Sequence, residues 1–131
     1  MILALQTADA TTRLWLFDPK ATPAEPTEVW ESGRQLADGL LSHIVALLAA
    51  QKRQLTDLTG VIIFSGPGSF TSLRIGHAVA NALADSLSLP IVGHQGDDWL
   101  IAGHHALEHT QPHQPVLPHY GSEANVTRSR G

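Results

Sequence analysis

Apolar residues follow two spacings along this chain. From Gln35 to Arg53, Leu36, Leu40, Leu41, Ile44, Leu47 and Leu48 recur at three- and four-residue steps, the period of an amphipathic helix. Elsewhere they come in short runs. Ile2 to Leu5 and Thr12 to Phe17 flank the turn-prone Ala8-Asp9-Ala10 and predict a hairpin. Pro19, Pro23 and Pro26 make the next segment a loop, and Thr27 to Ser32 reads as an edge-like third strand. Thr56 and Asp57 turn the chain into Val61-Ile62-Ile63-Phe64, a continuous apolar run between Gly60 and Gly66, as expected of a central strand covered on both faces.

Leu73 to Leu87 predicts a second helix, with Gly76, Ala80 and Ala84 at four-residue intervals on one side and Ile75, Val79 and Leu83 on another. Such a small-residue stripe lets a neighbouring helix approach closely. Leu89 to Val92 restarts a strand, with Pro90 in its first residues. Asp98 to Leu107 forms one more short helix, with Asp97 or Asp98 as its N-cap. Beyond Glu108, "HTQPHQPVLPHYGSEANVTRSRG" has no periodicity and reads as irregular. The expected organisation is one α/β lobe over residues 1–107 and a tail over 108–131. Its mixed sheet has about five strands, the first three antiparallel and the later ones reached by helical crossovers.

Composition narrows the function classes. A chain of 131 residues with 43% apolar content buries one core. Net charge is −4 with eight Lys and Arg, so no basic field holds a nucleic-acid backbone unaided. Cysteine is absent, which excludes disulfides and thiolate metal sites and makes a cytoplasmic setting the simplest expectation. No run approaches the roughly 20 apolar residues of a membrane span, and "MILALQTADA" has no basic leader region. A soluble, unprocessed protein is expected.

Between the central strand and the second helix stands Gly66-Pro67-Gly68-Ser69-Phe70-Thr71. Strand, glycine turn and helix is a common phosphate architecture: free N–H groups, the helix dipole and Arg74 one turn in attract an anion. Ser69 or Thr71 is placed to cap the helix. The Walker pattern fails, because no lysine follows Arg53, and so does the dinucleotide pattern, because no glycine stands at its third position. Spacing favours a structural turn over a phosphate site.

The segment "GPGSFTSLRIGHAVANALADSLSLPIVGH" resembles the signature of the bacterial TsaB (YeaZ) family, whose usual form is G-P-G-S-F-T-G-L-R-I-G, a small-residue helix, then I-P-[LIV]-V-G. "ILALQTADATTRLWLFD" and "GRQLADGLLSHIVALLAAQKRQLTDL" fall in the family's order, and the resemblance covers residues 1 to about 107. It implies a single lobe of the actin, sugar-kinase and Hsp70 superfamily, a ribonuclease H-like fold. It further implies a non-catalytic scaffold that binds the catalytic paralogue TsaD, works with the ATPase TsaE, and supports threonylcarbamoylation of the tRNA adenosine next to the anticodon. The tRNA would be met only through that complex.

The resemblance also implies where the partner docks. The two helices would form the interface through Leu40, Ile44 and Leu47 of the first, and Leu73, Gly76, His77, Ala80, Leu83 and Ala84 of the second. Gly66, Gly68, Ser69, Thr71 and Arg74 would sit near ADP or ATP held by the partner, the chain having no catalytic residues, cofactor or metal of its own. Without the partner, the exposed helix pair predicts a homodimer.

The chain departs from the family at three places. Ser72 replaces a glycine. Gln6 stands where the first strand usually ends in Asp-Thr, the aspartate that positions metal-bound phosphates, so ATP hydrolysis is disfavoured. The usual second lobe is missing. Two other readings therefore remain: a small nucleotide-binding hydrolase built on the glycine turn, and a degenerate paralogue that only homodimerises.

Other residues read more plainly. Of eight histidines, His105 and His109 have a chelating i, i+4 spacing if the last helix reaches them, yet no Asp, Glu or Cys completes a ligand set. Asp97 and Asp98 beside His94 suit helix capping better than acid–base chemistry. Trp15, Trp30 and Trp99 suit packing better than base stacking, since no basic residues are interleaved with Trp30 or Trp99.

Overall fold

In the computed structural model, which describes residues 1–120, β1 (Ile2–Gln6), β2 (Thr11–Phe17), β3 (Glu28–Glu31), β4 (Gly60–Phe64) and β5 (Ile91–His94) form one sheet in the order β3-β2-β1-β4-β5. The first three strands are antiparallel, while β4 joins β1 in parallel and β5 joins β4 in parallel. Helix α1 (Leu36–Ala50) carries the chain from β3 to β4, and α2 (Phe70–Ser86) carries it from β4 to β5. Helix α3 (Trp99–Leu107) follows β5. Residues 121–131, the end of the expected tail, lie outside the described residues. Among the described residues, no helix is long and apolar enough to cross a membrane.

Two apolar layers hold the sheet, and the strand period assigns residues to each. Leu3 and Leu5 of β1 and Val61 and Ile63 of β4 point to the face covered by α1 and α2, whose Leu36, Leu40, Ile44, Leu48, Ala80 and Ala84 complete the larger core. Ile2, Ala4 and Ile62 point to the other face, where α3 brings Trp99 and Leu107 against Trp15 and Val92. Burial on both faces explains why β4 is apolar without alternation.

Trp15 and Trp99 meet edge to face, with centroids 5.3 Å apart, so both serve the second core. Trp30 stacks on His43 at 3.7 Å, and His43 Nδ1 lies 2.6 Å from Glu28 Oε2, which clasps α1 to the edge strand.

The helix ends bear out one expected cap and not the other. Ser69 caps α2, its Oγ accepting Ser72 N–H at 3.4 Å. Asp98 occupies the N-cap position of α3 but makes no side-chain cap bond there. Since α3 stops at Leu107, His109 lies beyond it and the His105/His109 pair is not on one helical face. Among the described residues, no three His, Asp or Glu side chains gather as a metal-ligand set.

Candidate docking site on the helix pair and glycine turn

The residues expected at the partner interface occupy the interior instead. Leu40, Ile44, Leu47, Leu73, Gly76, His77, Ala80, Leu83 and Ala84 are all buried within this chain. The apolar face of the sheet needs cover, and the same stripes that look like a docking seam supply it. At Gly76 the small-residue stripe of α2 serves close approach to the residue that follows β1. A Cβ on Gly76 would collide with the Thr7 side chain just after β1, whose Oγ1 donates to Ser72 O at 3.0 Å. Replacing Gly76 with Ala is expected to destabilise the fold by about 1–2 kcal/mol, because the overpacking outweighs the better helix propensity. Urea unfolding checks this, and an unchanged or higher midpoint would show that the contact gives way freely.

The opposite sides of the pair face outward. Leu41 and Val45 of α1 are 47% and 44% exposed and stand one helical turn apart. Ala49 continues that stripe, and Thr71, Arg74, Ala78 and Ala82 form the exposed stripe of α2. α1 and α2 pack on one another, so the two stripes belong to one paired unit. Their signal in the sequence was a surplus: Leu41 follows Leu40 and Val45 follows Ile44, giving an apolar arc wider than one buried face requires.

The glycine turn is built for packing at two of its positions. Gly66 has φ +115°, and a Cβ there would strike the His119 backbone carbonyl. A Cβ on Gly68 would stand 2.7 Å from Ala8 Cβ, and Ser69 N–H donates to Ala8 O at 2.7 Å. The turn is thereby wedged between the β1–β2 connection and the residues near 119.

The five residues expected near a nucleotide divide into groups. Gly66 and Gly68 make backbone contacts and Ser69 caps α2. Thr71 and Arg74 turn outward and line a shallow depression with Ile75 and Ala78. The Arg74 guanidinium lies 5.2 Å from the centre of the Phe70 ring, which is itself 53% exposed. Gln6, at the end of β1, accepts Arg13 Nη1 at 3.1 Å.

Among the described residues, one titratable group is enclosed. His77 is 2% exposed, and its Nδ1 lies 2.8 Å from Leu73 O while Nε2 has no hydrogen-bond partner. Burial holds its pKa below the ordinary 6.5; the bond to Leu73 raises it, and the neighbouring His119 lowers it further. The unfolded chain therefore takes up this proton first as pH falls. Its contribution to stability is complete above about pH 6.5 and is lost progressively below that value, by at most about 1.4 kcal/mol per pH unit. Unfolding midpoints between pH 5 and 8 are expected to fall less steeply in His77→Gln, and identical slopes would refute the assignment.

Comparisons with known proteins agree with the fold. The family model described as TsaD: tRNA N6-adenosine threonylcarbamoyltransferase matches residues 31–120. The chain is 31% identical over 83 residues to the tRNA threonylcarbamoyladenosine biosynthesis protein TsaB of Escherichia coli, covering 56% of this chain and 36% of that protein. It is 36% identical over 74 residues to a tRNA N6-adenosine threonylcarbamoyltransferase of Pyrobaculum arsenaticum, covering 56% of this chain and 21% of the relative. YeaZ from Pseudomonas aeruginosa superposes with a TM-score of 0.63 at 26% identity, covering 72% of this chain and 43% of that one. The chain thus spans less than half the length of the proteins it matches.

Proposed function

The chain belongs to the family described as TsaD: tRNA N6-adenosine threonylcarbamoyltransferase, and from that membership we propose that it is a non-catalytic subunit that docks a TsaD-like partner and supports threonylcarbamoylation of tRNA. The observation that carries this reading is the outward apolar stripe of the helix pair. Leu41, Val45 and the small Ala49 on the exposed side of α1, with Ala78 and Ala82 on the exposed side of α2, suit a second pair of helices better than they suit water.

The remaining chemistry supports a supporting role. With a net charge of −4 the chain relies on its partners, a TsaD-like subunit and a TsaE-like ATPase, to hold tRNA. ADP or ATP, where one is used, lies at the partner interface beside Thr71 and Arg74. The hydrolase reading has less support, because Gln6 is engaged with Arg13 and two turn glycines are packed against the chain itself. When the partner is absent, the same outward stripe pairs two copies.

Mixing the chain with the TsaD-like subunit tests the proposal directly. A stable complex at micromolar concentrations is the expected result, with tRNA modification in the reconstituted mixture dependent on it. Two separate peaks in size-exclusion chromatography at those concentrations would overturn the scaffold role.

A further inference from the structure

After α3 the chain returns along α2 as a strap, residues 111–119, running in the opposite direction to the helix. His113 Nδ1 lies 2.6 Å from Asp85 Oδ1. Asn81 holds both backbone groups of Val116, its Nδ2 donating to Val116 O at 2.8 Å and its Oδ1 accepting Val116 N–H at 2.9 Å. Each rung moves four residues back along α2 and three on along the strap, so the next one sets His119 against His77. The two rings are near enough for His119 to disfavour a proton on His77. The backbone fixes the strap at this end: His119 N–H donates to Ser65 O at 2.6 Å, and the His119 carbonyl fills the space beside Gly66.

A proton acts differently on each rung. It strengthens the first, where Asp85 offers His113 a carboxylate, and leaves the neutral Asn81–Val116 rung alone. At the third it meets no counter-charge. His77 is 2% exposed, its Nδ1 is taken up by Leu73 O, and Nε2 has no partner among the described residues, so its imidazolium is a buried, unpaired charge. The neighbouring elements do not offset it. Residues 60–70 hold no titratable side chain. His94 of β5 shares with Val92 the sheet face turned towards α3. Of the other ionisable groups on α2, Arg74 turns outward over Phe70 and Asp85 is held by His113. On α1, Asp38 is exposed and His43 is held by Glu28. In the β1–β2 connection, Asp9 is exposed and accepts Thr11 N–H at 2.8 Å.

We propose that residues 117–119 form an acid-released latch over His77: as the medium acidifies, this end of the strap lifts to let water reach the imidazole, with Asn81–Val116 as the hinge and His113–Asp85 staying closed. Lifting draws the His119 carbonyl away from Gly66 and Tyr120 away from Phe70, whose ring centres lie 4.4 Å apart. The glycine turn thereby loses one of its two walls, and one side of the Phe70 ring is bared. Opening is favoured only below about pH 6.5, where an imidazole in water takes up its proton, and by at most about tenfold per pH unit. The latch does not depend on the scaffold role, since all its parts lie within this chain.

Hydrogen exchange followed by NMR in the full chain tests this, each amide being compared with its rate in an unstructured peptide at the same pH. The His119 amide is expected to exchange at least about tenfold faster than the β4 amides, through local opening, and to lose at least about fivefold in protection between about pH 7.5 and 5. Val116 N–H, at the hinge, is expected to stay at least about tenfold better protected than His119 N–H at about pH 5. In His77→Gln the loss at His119 is expected to disappear. Unchanged protection of His119 across this range, or equal protection of Val116 and His119 at its acid end, would overturn the proposal. So would exchange of His119 only at the rate of β4, or a loss that persists in folded His77→Gln. The outcomes in the unaltered chain decide the matter even where that variant does not fold.

Discussion

A chain carrying Ala80→Arg is expected not to fold. Ala80 is 0% exposed, on the side of α2 that faces the sheet, and belongs to the larger core with Leu3, Leu5, Val61 and Ile63. An arginine there introduces a charge with no partner and a side chain several methylenes too long. An uncompensated buried charge costs about 3–5 kcal/mol, and overpacking adds about 1–3 kcal/mol. A small domain has about 5–15 kcal/mol in total and stands toward the low end, so the native state is expected to be lost. Far-UV circular dichroism and thermal melting decide it. Ala82→Arg, two residues on and exposed, is the control, with an expected change within about 0.5 kcal/mol. A cooperative melt for Ala80→Arg close to that of the unaltered chain would mean that this side of α2 is open.

Val45→Arg is expected to do the reverse: keep the fold and lose the partner. Val45 lies on the outer face of α1, 44% exposed, so the guanidinium reaches water in the isolated chain and stability changes by about 0.5 kcal/mol or less. In a helix-to-helix contact the same charge is driven into a dry interface, at a cost of about 2 kcal/mol or more, which is about a 30-fold loss of affinity. Leu41→Arg, one turn earlier on the same stripe, is expected to act alike. Titration calorimetry against a TsaD-like subunit, beside melting curves of each variant, separates binding from folding. Undiminished binding by both folded variants would remove the outer face of the helix pair from the docking surface.

The contrast between these two substitutions shows how far the sequence could be read. Periodicity alone determined that residues 36–50 and 70–86 are helical, to within a few residues, because apolar groups spaced at three and four can be buried together only on a helix. The apolar run at β4, bounded by glycines, likewise determined a central strand. The stretch from Gly66 to Gly76 also determined the family resemblance, since few chains need a glycine turn, a capping serine and a small-residue helix in that order. Asp98 shows the limit of such local rules: it has the right residue type and position for a cap, but its side chain makes no cap bond.

Tertiary structure decided which stripe of each helix is inside. Leu40 and Leu41, or Ile44 and Val45, are equivalent in composition and differ only by the 100° between successive helical residues, a phase that the sheet fixes and the sequence does not print. The same holds for Gly76, where a small residue is compatible with a partner helix or with the Thr7 side chain, and only the position of β1 chooses. It also holds for the prolines and polar residues after 110, which have no periodicity to read. Their order comes from Asn81 and Ser65, 35 and 54 residues away along the chain, and contacts of that separation exist only once the sheet has brought their elements together.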